Sequence, residues 1–60
     1  METLRNEIET CLENRGENPR KWDIETMAWT LWRLDYKTLS EVPEITLTCE
    51  LIGNRFEWVN

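Results

Sequence analysis

Apolar residues near the start of the chain recur at helical spacing. Leu4, Ile8, Cys11 and Leu12 stand at i, i+4, i+7 and i+8, with Glu2, Asn6, Glu9 and Glu13 opposite. This one-sided stripe predicts an amphipathic helix from Glu2 to about Asn14. Arg15 suits the negative end of its dipole, and Gly16 suits the left-handed position that follows. A second stretch, Trp22 to Leu34, has the densest helical periodicity. Ile24, Met27, Ala28, Leu31 and Leu34 share one face, with Trp32 at its margin. Trp22 and Trp29, seven residues apart, point away from that face, beside Thr26 and Arg33. A helix apolar on more than one side lies between two layers or offers one side to a partner.

Asn18-Pro19 is a helix start, with asparagine as N-cap and proline at the first position. Asp23 competes as an N-cap one turn later. The second helix is therefore predicted from Pro19 to about Asp35. The short link from the first predicts an antiparallel αα-hairpin.

Beyond it, Thr38-x-x-Glu41 has capping-box form. Leu39 to Val42 then makes one helical turn stopped by Pro43; the alternative is a short edge strand over Thr38 to Val42. The period then changes from 3.6 to 2. Ile45, Leu47, Cys49 and Leu51 alternate with Thr46, Thr48 and Glu50, as in a strand with one buried face. With Gly53-Asn54 as a two-residue turn, Leu51 pairs with Phe56 and Cys49 with Trp58. That hairpin gathers Ile45, Leu47, Cys49, Leu51, Phe56 and Trp58 on one face. Its one flaw is Glu50 opposite Glu57. The expected fold is a single α+β domain over residues 1–60, an antiparallel helix pair followed by a C-terminal β-hairpin (ααββ) packed on the helices.

Length changes the picture by making that core marginal. A chain of 60 residues buries only about 60% of the surface its unfolded form exposes, and such chains usually carry a staple. There is no histidine, and Cys11 and Cys49 lack metal-site spacing. Met1 opens a polar, acidic segment without an export leader or membrane-spanning run, which implies a cytoplasmic protein with reduced, buried thiols. A second copy is the remaining staple, so a homodimer is expected.

Twelve acids against seven bases give a net charge of −5, which disfavours direct nucleic-acid binding and anionic membranes. Catalysis has little to work with. Ser40 is the lone serine, Cys11 has no candidate base, and no phosphate loop or calcium loop is present. No enzymatic activity, cofactor or metal is expected. Three features remain. Trp22 and Trp29, with Arg33, form an aromatic ridge of the kind that anchors protein interfaces. The hairpin, with Phe56 and Trp58, has unblunted edges that accept a further strand. Glu2, Glu9, Glu13 and Glu17 make an acidic stripe. The composite reading is a small, acidic, non-enzymatic regulator or inhibitor that binds a protein through the ridge or the hairpin edge. One alternative is a nucleic-acid mimic that occupies a basic cleft; another is a structural subunit. In kind alone, without a shared motif, the chain is similar to small acidic phage or mobile-element proteins.

Overall fold

The computed structural model describes residues 2–56. Three helices, α1 (Glu2–Asn14), α2 (Ile24–Arg33) and α3 (Glu44–Gly53), are joined through two single 3₁₀ turns, Pro19–Lys21 and Leu39–Glu41. Leu4, Ile8 and Leu12 of α1 meet Met27, Ala28 and Leu31 of α2, and Val42 and Leu47 close the core. The predicted first helix is present with its apolar stripe buried. Arg5 pairs with Glu25 across 3.4 Å.

Asn18-Pro19 starts only a 3₁₀ turn, in which Asn18 Oδ1 accepts from the Arg20 N–H at 3.1 Å. The second helix begins one turn later than Pro19, because Asp23 is the stronger cap. Its carboxylate accepts from the Thr26 N–H at 3.2 Å and from Thr26 Oγ1 at 2.7 Å. A charged acceptor at the positive helix end satisfies a donor that would otherwise be orphaned. Trp22 is left in extended backbone, outside the helix.

The expected α+β class is overturned: among the described residues there are three helices and no sheet. The segment assigned to the first strand of the β-hairpin is α3. Leu47 and Leu51, two apart in the strand pattern's inward set, are also i,i+4 on a helix, and both turn toward the core. A two-stranded ribbon is marginal by itself, whereas a helix closes its hydrogen bonds within its own segment. Gly53 ends α3, and Asn54 is its C-cap. The Asn54 N–H donates to the Glu50 carbonyl at 3.0 Å, and its Nδ2 donates to the same carbonyl at 2.8 Å. The chain then runs antiparallel beside residues 21–23: the Asp23 N–H donates to Asn54 O and the Phe56 N–H to Lys21 O, both at 2.8 Å. Trp58, the other aromatic of the expected second strand, lies outside the described residues.

Both α1 and α2 end in the same motif. After α1, the Glu17 N–H reaches Leu12 O and the Gly16 N–H reaches Glu13 O; after α2, Tyr36 reaches Leu31 O and Asp35 reaches Trp32 O. This doubly closed end needs a left-handed residue, supplied by Gly16 at φ 77° and by Asp35 at φ 72°. A Cβ at Gly16 would meet no atom within 4 Å, so only backbone conformation is at stake. Gly16→Ala is expected to lower stability by about 1 kcal/mol, and Asp35→Gly to raise it by about 0.5 kcal/mol. Urea midpoints moving in opposite directions would be the signature.

Candidate interaction surface

Trp22 and Trp29 do not form one ridge. Trp22 packs against the core. Its indole Nε1 donates to Leu51 O at 2.9 Å, and the Arg55 guanidinium lies 5.6 Å from the ring centroid. Leu51 lies in the last turn of α3, where carbonyls have no helical partner, so the indole caps that end. Phe56 is half-buried beside this joint.

Trp29 instead stands 50% exposed, with Trp32 at 39% and Leu34 at 56%. Trp29, Trp32 and Arg33 are at i, i+3 and i+4, so they share one face of the C-terminal half of α2. Leu34, placed by the periodicity on the inward face, is the C-cap and turns outward. Two cations border these rings. Lys37 Nζ sits 4.4 Å from the Trp32 centroid and 3.3 Å from Asp35 Oδ1. Arg33 is exposed and has no ion-pair partner among the described residues. Trp32 and Lys37 are additions to what the sequence suggested. Trp32's place at the margin of the buried face was the signal for it.

The acidic residues Glu2, Glu9, Glu13 and Glu17 are all exposed. Glu7, which the sequence did not single out, has a structural part: its Oε1 accepts from the Leu39 N–H at 3.1 Å and ties the 36–43 connection to α1. Beside it, an open groove of about 570 Å³ runs along α1, lined by Thr3, Asn6, Glu7, Thr10, Cys11 and Leu39 among others. Cys11 is half-buried there and Cys49 is exposed on α3, so Cys49 is not the core thiol that the strand reading predicts.

The capping-box reading of Thr38 and Glu41 is realised as the second 3₁₀ turn. Glu41 Oε2 accepts from the N–H groups of Thr38 and Lys37, each at 3.0 Å. Those bonds, Thr38's first, hold the Glu41 carboxyl below the usual carboxylate range. With the folded value depressed, the folded chain binds fewer protons than the unfolded one. The contribution is therefore present above the unfolded value and lost as pH falls through the folded one. In an NMR titration, the Lys37 and Thr38 amides are expected to shift with a midpoint below the ordinary glutamate value. Glu41→Gln removes the transition.

Among the described residues, no three carboxylate or thiol side chains gather as a metal site requires, and no helix is long and apolar enough to cross a membrane. The chain matches no protein-family profile, no curated protein and no solved structure.

Proposed function

We propose that this chain is a non-enzymatic cytoplasmic interaction protein, regulatory or inhibitory in role, that binds a protein partner through the C-terminal half of α2. The observation that carries the reading is the exposure of Trp29 and Trp32, 50% and 39%, on one helix face. Tryptophan is costly to leave wet and is the residue most enriched at interface hot spots. Arg33 and Lys37 border the rings, so the matching surface is apolar with carboxylates at its rim. The hairpin edge is no longer a candidate, because the segment is helical.

The competing acidic-mimic reading rests on Glu2, Glu9, Glu13 and Glu17. Capture of partners from the native cell separates the two. Trp29→Ala with Trp32→Ala is expected to lose the partner, and Glu9→Gln with Glu13→Gln to retain it. The reverse outcome replaces this reading with the mimic. Retention by both variants would overturn each of them.

A further inference from the structure

α3 divides its side chains cleanly. Leu47 is buried, and Thr46, Glu50 and Leu51 are half-buried, on the inward side. Ile45, Thr48, Cys49 and Ile52, at i, i+3, i+4 and i+7, are exposed on the other. Ile45 at 75% and Ile52 at 76% exceed the exposure of Leu34, Trp29 and Trp32. At 100° per residue the two isoleucines lie about 20° apart, with Thr48 and Cys49 flanking them. Among the described residues this apolar face has no partner.

We infer that the face is a self-association seam, on which the α3 of a second copy packs antiparallel across a two-fold axis between Thr48 and Cys49. The stripe reads Ile-x-x-Thr-Cys-x-x-Ile, nearly the same in both directions. An isologous contact requires that self-complementarity, because it sets Ile45 against Ile52 of the other copy and repeats the pair across the axis. Charge points the same way. The chain carries −5, with exposed acids along α1, so a second copy is repelled from most of the surface. The stripe itself carries no charge. Glu44, at its edge, lies 3.8 Å from Arg15 of its own chain. A seam about two turns long buries less than about 1,200 Å² in total, at the low end of specific interfaces. The dimer is therefore concentration-dependent, with a Kd on the order of micromolar to tens of micromolar. This seam is separate from the α2 face, and neither depends on the other.

The axis position makes a sharp geometric claim. Antiparallel helices about 8–9 Å apart, within the usual spacing, with residue 49 half a residue from the axis and about 50° off the seam's centre, bring the two Cys49 Cα atoms to about 5–6 Å. That falls inside the window for a disulfide, about 4.4–6.8 Å. Sedimentation of the reduced full chain over a concentration series is expected to show a monomer–dimer equilibrium. Ile45→Glu with Ile52→Glu is expected to weaken it at least 100-fold while the helical circular dichroism is kept.

A second arm keeps both isoleucines and does not depend on that variant folding. In a Cys11→Ser background, diamide takes two electrons and two protons from the paired Cys49 thiols and becomes its hydrazine form. A covalent dimer forms, and Cys49→Ser abolishes it. A chain monomeric at about 1 mM, or a dimer indifferent to the isoleucine changes, overturns the seam. A dimer that Cys49 fails to cross-link overturns the antiparallel register.

Discussion

Trp22→Ala is expected to remove between about a third and all of the chain's stability. A sixty-residue domain has roughly 3–9 kcal/mol of stability in total, and truncating a packed tryptophan costs about 3–5 kcal/mol. Trp22 is half-buried rather than sealed, which places the loss near the lower figure. Its position makes the loss general. The ring lies where residues 21–23, the end of α3 and the segment 54–56 meet, and its Nε1 caps the otherwise open Leu51 carbonyl. Trp22→Phe keeps most of the packing and removes that bond, so it is expected to cost about 1 kcal/mol for the lost bond. Urea unfolding followed by circular dichroism distinguishes the two. If Trp22→Ala melts like the parent chain, the indole is not the joint described above.

The role of Trp22 was hidden by one choice of helix start. If Pro19 opens the second helix, Trp22 and Trp29 are in phase and read as a ridge. Once Asp23 caps the helix instead, Trp22 leaves that phase and its ring is free to turn inward. The sequence contains both caps, and the pairing of 21–23 with 54–56, which no local pattern encodes, holds Trp22 in the extended backbone that precedes the Asp23 cap. α1 was legible throughout because one period, one stripe and one terminal glycine agree. The Thr38–Glu41 turn was legible for the same reason: its bonds are local.

α3 has a strand-like sequence for a physical reason that also exposes its outer face. As a strand, Ile45, Leu47, Cys49 and Leu51 would all be buried together. The helix turns Leu47 and Leu51 inward and leaves Ile45 and Cys49 outside, so alternation overstated what a single chain buries. Local hydrogen bonding outweighed the larger apolar face that a ribbon with two open edges would have formed. The exposed isoleucines are the residue of that competition. The candidate site was half legible. Trp29 and Arg33 stand where the periodicity put them, while Trp32, Leu34 and Lys37 required the actual end of α2 and the left-handed Asp35 that turns the chain past it.

The α2 face predicts the opposite balance of effects from Trp22. Trp29→Ala with Trp32→Ala is expected to weaken partner binding by about 1,000-fold or more, because hot-spot tryptophans each contribute at least about 2 kcal/mol. Folding is expected to lose less than Trp22→Ala costs, since neither ring belongs to the buried cluster. Among what Trp32→Ala removes from the free protein is its contact with Lys37, about 0.5–1 kcal/mol at an exposed site. Arg33→Glu, which keeps both rings, is expected to slow association and to change the salt dependence of binding. Calorimetry with the purified partner, beside thermal melts of each variant, measures the two quantities separately. A double variant that keeps its affinity places the interface elsewhere. One that loses its fold with its affinity makes Trp29 and Trp32 structural, in spite of their exposure.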